Sequence, residues 1–117
     1  MIGINDLNRG LGPDVAIANY STLFNGIDQH LPDTQVYLQS VLPVNDSWTN
    51  ADNTHVPTLN KELQREAAAR GYHYVDLVPA FSAADGQLRR ELSNDGIHLL
   101  GAGYGVWRDQ IQALVGP

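Results

Sequence analysis

Residues 35–44 read Gln35-Val36-Tyr37-Leu38-Gln39-Ser40-Val41-Leu42-Pro43-Val44, and this run decides the fold class. Val36, Leu38, Val41 and Leu42 make it the strongest strand signal in the chain, with Pro43 ending its regular pairing. Helical periods flank it. Upstream, Gly10-Leu11-Gly12-Pro13 reads as a loop that places Pro13 at a first helical position, followed by Ile17, Tyr20, Phe24, Ile27 and Leu31 on one face until Pro32 stops the helix. Downstream, the polar stretch Asn45–Asn53 holds Trp48, and Val56, Leu59, Leu63 and Ala67 then mark a helix over residues 56–70. Glu62 can pair with Arg65 and Glu66 with Arg70 on its wet face, and Gly71 is placed to end it.

Further outward the alternation continues. Residues 72–78 form the next expected strand, closed by Pro79. Asp85-Gly86 is a turn signal and Ser93-Asn94-Asp95-Gly96 a loop, before a last helix over 101–115 with Tyr104, Trp107, Ile111 and Leu114 directed inward. At the other end, Met1–Ile4 reads as the end of a buried strand running into Asn5. The order is β-α-β-α-β-loop-α in a single domain over residues 1–117. It implies an α/β fold: a parallel sheet with helices on both faces, three layers in all. In such folds ligands bind beyond the carboxyl ends of the strands. Asn5, the 43–53 loop and the segment leading to Asp95 and His98 all converge on that edge.

Composition narrows the function. Net charge is −6, Asp outnumbers Glu, and the seven Lys and Arg residues are scattered. That leaves no electrostatic footprint for nucleic acid or an anionic membrane. No apolar run approaches the ~20 residues of a bilayer span, and the chain begins without a signal-peptide pattern. Zero cysteines excludes a disulfide framework, a thiol nucleophile and thiolate metal sites, and leaves the compartment open. His30, His55 and His73 are isolated, so neither a metal nor another cofactor is expected.

Two short motifs carry chemistry. In Asp95-Gly96-Ile97-His98, an acid three residues before a histidine can accept the imidazole Nδ1 proton and leave Nε2 free as a general base. The plainer reading is a loop Asp capping backbone and a His on a helix shoulder. In Gly3-Ile4-Asn5-Asp6, an Asn at a strand end offers amide donors suited to an oxyanion, Gly3 allows close approach and Asp6 can brace the turn. Alone, that too reads as an Asn-Asp turn.

Together and in this order, the motifs resemble those of the SGNH/GDSL hydrolases. Gly3, Asn5 and Asp6 match the family's G-x-N-D block, and Asp95, His98 and Leu99 match its D-x-x-H-L block. Ser40-Val41-Leu42-Pro43 and Gly103-Tyr104-x-x-Trp107 are similar to the acetylhydrolase-like and sialate-O-acetylesterase-like members. The resemblance implies a flavodoxin-like SGNH hydrolase fold and a serine esterase for small acyl esters, O-acetyl groups on carbohydrates foremost. It makes His98 the general base, Asp95 its orienting partner and Asn5 an oxyanion donor.

Leu100 departs from the pattern: relatives often carry Asn there to cap the last helix, a role Gly101 is expected to take. The family's Gly-Asp-Ser block, with its nucleophile, is also missing. Ser21, Ser40, Ser47, Ser82 and Ser93 lack an activating context, so no nucleophile is expected among these residues. Two further expectations follow. The chain is an N-terminally truncated domain, with Met1 inside what would be its third strand. Its Met1–Ile4 edge is then expected to pair with a second copy or a complementing chain, or its N-terminal segment to rearrange. The alternative function is an inactive fragment serving as an interaction module.

Overall fold

The computed structural model describes residues 2–116. Its elements are α1 (Ile4–Asn8), α2 (Pro13–His30), β1 (Tyr37–Gln39), α3 (Val56–Arg70), β2 (His73–Val75), α4 (Val78–Phe81) and α5 (Gly101–Val115), with a 3-10 turn at Arg90–Leu92 before α5. β1 and β2 are parallel, Leu38 opposite Tyr74, and α3 connects them. Because side chains alternate along a strand, the sheet divides the core in two. Leu38 and Tyr74 join Ala16, Tyr20 and Phe24 of α2 and Leu59, Leu63 and Ala67 of α3. Tyr37 and Val75 join Leu77, Phe81, Leu88 and Leu92, against which Trp107 and Ile111 of α5 pack. This is the expected α/β/α arrangement, built on two strands among the described residues.

α3 runs over the expected residues for the expected reasons. Its apolar stripe is buried, and each such side chain contributes about 1.5–3 kcal/mol on full burial. Gly71 ends it at φ 72, a left-handed conformation natural to glycine, and Tyr72 N–H donates to the Ala67 carbonyl across it. The Glu62–Arg65 and Glu66–Arg70 pairs form at 2.7 and 2.9 Å. Arg70 also reaches Asp28 and Asn25 of α2 and lies 5.3 Å over the Phe24 ring, tying the two helices together.

The strands are shorter than the sequence suggests. Pairing of the 35–44 run ends at Ser40, whose N–H donates to the Val75 carbonyl and whose Oγ accepts Leu77 N–H. Beyond it, side chains replace a neighbouring strand. Asn60 of α3 accepts from Val41 N–H at 2.7 Å and donates to its carbonyl at 2.9 Å. Asn53 does the same for Val44, both at 2.8 Å. The second strand stops at Val75, and Pro79 opens α4 rather than closing a strand, as its missing N–H and fixed φ allow in a first helical turn.

The Met1–Ile4 strand is not borne out. Met1 lies outside the described residues; Ile2 and Gly3 are not in a strand, and Ile4 begins a helix. The cause is Gly3. Its φ of 107 turns the chain directly into α1, where its carbonyl accepts from Asp6 and Leu7. The Tyr20 hydroxyl holds the preceding Ile2 carbonyl at 2.7 Å. A Cβ on Gly3 would lie 3.0 Å from Val41 Cγ2 and 3.1 Å from Tyr20 Oη. Residues 2–4 therefore offer no strand edge, and among the described residues the strand edges are those of β1 and β2.

α5 needs a second correction. Trp107 and Ile111 are half-buried, but Tyr104 is 59% and Leu114 46% exposed. Strands spaced about 4.8 Å apart make a two-stranded sheet too narrow to cover the whole apolar face. Leu31 is likewise exposed beyond the end of α2.

Asn60→Ala would remove both bonds to Val41 and leave two buried backbone groups without partners. It should cost about 2–4 kcal/mol, measured by denaturant unfolding; a change below about 1 kcal/mol would show that Val41 does not need this carboxamide.

Candidate active site

The loop before α5 is set by backbone geometry. Ser93 and Leu99 form an isolated antiparallel bridge that closes the loop at its base. Inside it, Asp95 Oδ1 accepts N–H bonds from Ile97 at 2.9 Å and His98 at 2.8 Å. A carboxylate that holds the backbone two and three residues ahead also brings the side chain at the third position back to itself. Accordingly His98 Nδ1 lies 2.7 Å from Asp95 Oδ2. An ionised carboxylate only accepts, so Nδ1 carries a proton, and in the neutral imidazole Nε2 then presents a lone pair. The His98 N–H, then the Ile97 N–H, then the His98 ring hold the Asp95 carboxyl well below the usual carboxylate range. Both side chains are exposed, His98 at 81% and Asp95 at 49%.

Gly96 anchors this loop to the segment beyond β1. Its φ is 83, and a Cβ there would lie 2.5 Å from the Asn45 carbonyl oxygen, so only glycine fits. Its carbonyl accepts Asn45 N–H at 2.8 Å and its N–H donates to Ser93 Oγ at 2.9 Å.

His98 and Asn5 line one cleft of about 350 Å³, walled by Val41–Val44, Ile97, Leu99, Tyr104 and Trp107. Asn5 is exposed on α1; among the described residues its carboxamide has no hydrogen-bond partner and is free to donate. Gly3 is buried beneath it. Asp6 occupies the first turn of α1, a favourable place for an acid, but the expected bracing comes from elsewhere, through the Gly3 carbonyl and Tyr20. Burial, followed by the Asp6 charge, pushes the Tyr20 hydroxyl up to about 12, so it stays a hydrogen-bond donor.

Other expectations divide. Leu100, not Gly101, is the N-cap of α5, and it caps without a side-chain bond. Trp48 lies outside the lining of the cleft, in its loop with Arg90 5.3 Å above the ring. Ser40 is buried and occupied by Leu77 N–H. Among the described residues no serine hydroxyl bonds the His98 ring. Sequence reasoning missed Tyr104 and Trp107 as cleft residues by assigning both to the core. Trp107 also donates from Nε1 to Gln39 Oε1 at 2.8 Å. The usable signal was their three-residue spacing on the helix that follows His98. A cleft of about 400 Å³ along Ser82–Glu91 holds none of the predicted site residues.

Comparison with known proteins places the family and the fold. The model of the GDSL-like lipase/acylhydrolase family matches residues 1–106. A Streptococcus pneumonia protein named for platelet activating factor superposes with a TM-score of 0.87 at 27% identity, covering 95% of this chain and 55% of its own. A GDSL-like lipase from Bacteroides thetaiotaomicron gives 0.72 at 21% identity, covering 86% of this chain and 50% of that one. The esterase domain of the ORF1 protein from the zebrafish ZfL2-1 retrotransposon gives 0.70 at 19%, covering 88% and 58%. The chain thus spans about half the length of the solved structures it matches. No curated protein matches it.

The depressed Asp95 carboxyl makes a signed prediction. A group whose folded value is lowered stabilises the fold above its unfolded value, about 4, and loses that contribution as pH falls through the folded value. The melting-temperature advantage of the chain over its Asp95→Asn variant should therefore be constant above about pH 4–5 and shrink only in stronger acid. An advantage that stays unchanged down to pH ~2 would contradict the bonding described.

Proposed function

Since this chain belongs to the GDSL-like lipase/acylhydrolase family, we propose that Asp95 and His98 are the acid–base half of a serine esterase acting on small acyl esters, O-acetyl groups on carbohydrates foremost. The observation that carries this reading is the 2.7 Å Asp95–His98 contact, in which His98 lines the same cleft as Asn5, whose carboxamide has no hydrogen-bond partner among the described residues. In the proposed mechanism His98 Nε2 takes the proton of an attacking serine hydroxyl. Asp95 keeps the imidazole in the right tautomer and stabilises the imidazolium that forms. Asn5 donates to the oxyanion of the tetrahedral intermediate. His98 then returns the proton to the leaving alcohol, and water repeats the cycle on the acyl-enzyme. The nucleophilic serine is proposed to come from outside these 117 residues; in support, Ser40 and Ser93 are buried and hydrogen-bonded elsewhere, and among the described residues no serine hydroxyl bonds the His98 ring. A cleft of about 350 Å³ with walls at Val41, Leu42 and Leu99 supports a short acyl group.

Fluorophosphonate labelling, read by intact mass and peptide mapping, should leave the chain unmodified. Mixing it with a separate polypeptide that carries a Gly-Asp-Ser strand should produce hydrolysis of p-nitrophenyl acetate that His98→Ala abolishes. An adduct on a serine of this chain would overturn the proposed origin of the nucleophile. Hydrolysis indifferent to His98→Ala would overturn the base.

A second reading has its own support. Among the described residues the two-stranded sheet leaves one side of each strand unpaired, and Tyr104, Leu114 and Val115 of α5 are exposed. These features suit a chain that meets another polypeptide, as an interaction module or as half of a reconstituted enzyme. Sedimentation should then show self-association, or a complex with the completing chain. A monodisperse monomer at high concentration that also ignores the completing chain would count against it.

A further inference from the structure

We propose that Ser93 is a positioning residue that locks the Asp95 carboxylate in its His98-binding rotation; the inference rests on the reading of that pair given above. Ser93 is 2% exposed, in a loop whose catalytic candidates are both on the surface. A buried hydroxyl needs partners, and those of Ser93 belong to the Asp95 loop. Its oxygen accepts Gly96 N–H at 2.9 Å and its proton points at Asp95 Oδ1, 3.3 Å away.

Oδ1 is the oxygen that also receives the Ile97 and His98 N–H groups. That leaves Oδ2 for the imidazole. The terminal torsion of an Asp side chain is broad and soft, so which oxygen faces His98 depends on what holds the other one. Ser93, itself buried, does so from the loop's inner side. Through Gly96 N–H it also fixes the peptide between Asp95 and Gly96, and Gly96 is in turn pinned to Asn45. These bonds give Ser93 a task distinct from nucleophilic attack: its hydroxyl faces the carboxylate, not the imidazole. The ionisable group placed against Asp95 is His98, so the Asp95 titration reports this geometry directly.

The test is carbon NMR of the Asp95 side-chain carboxyl against pH, in the 117-residue chain and in Ser93→Ala, Ser93→Cys and Ser93→Thr. Cysteine keeps the volume but loses the strong hydroxyl; threonine keeps the hydroxyl. The alanine and cysteine variants should titrate higher than the parent by about one pH unit, a tenfold change in proton affinity, with threonine closer to the parent. Parent-like titration in the folded cysteine variant would overturn the role of Ser93 and leave the Asp95–His98 pair standing. An equal rise in all three variants would assign the effect to packing and also overturn it. A parent that titrates in the ordinary carboxylate range would remove the pair itself, and the proposal with it.

Discussion

Among the described residues the segment from Val41 to Asn45 has no strand beside it, and the candidate site depends on how that segment is held. Two carboxamides stand in for the missing ladder, Asn60 bonding both backbone groups of Val41 and Asn53 both of Val44. From there the constraint passes outward through single hydrogen bonds. Asn45 N–H holds the Gly96 carbonyl, Gly96 N–H is held by Ser93, and the loop so fixed lets Asp95 gather Ile97 and His98. The same segment supplies the wall of the cleft at Val41–Val44. The buried links, Asn60 to Val41 and Ser93 to Gly96, each leave a buried polar group without a partner if they break, at a cost of about 1–3 kcal/mol, so the segment has little freedom to drift.

How much of this was legible in the sequence follows from how local each feature is. α3 was readable to its ends because a stripe repeating at three and four residues and a terminal glycine are both written within the helix itself. The Asp95–His98 contact was readable for the same reason, the acid binding the backbone two and three residues ahead. Residues 41–44 looked like strand because they are apolar. What replaces pairing there comes from Asn60 and Asn53, distant in sequence and unmarked by any motif. Gly3-Ile4 failed in a different way. Hydrophobicity suggested an extended chain, while the positive φ of Gly3 and the Tyr20 hydroxyl on Ile2 turn it into α1. The residue types of the G-x-N-D motif carried no mark of this backbone conformation. Tyr104 was misplaced because an apolar stripe says which side of a helix is greasy, not how wide a sheet waits beneath it.

The exposure of the pair bears on how it could act. An ion pair or polar contact open to water is worth little, commonly below 1 kcal/mol, because solvent competes for both partners. His98 is mostly exposed and Asp95 about half so, yet their geometry is set by buried groups, Ser93 below and Gly96 against Asn45. Orientation is therefore built in before the surroundings become dry. Whatever excludes water from this cleft strengthens every charge interaction inside it without having to create the alignment. The apolar rim at Ile97, Leu99 and Tyr104 and the open side of β1 are the surfaces over which such a cover would lie. A site that is aligned but wet is what one expects when alignment and desolvation are supplied by different stretches of polypeptide: the first by the hydrogen-bond chain from Asn60 to Asp95, the second by whatever seats on the rim.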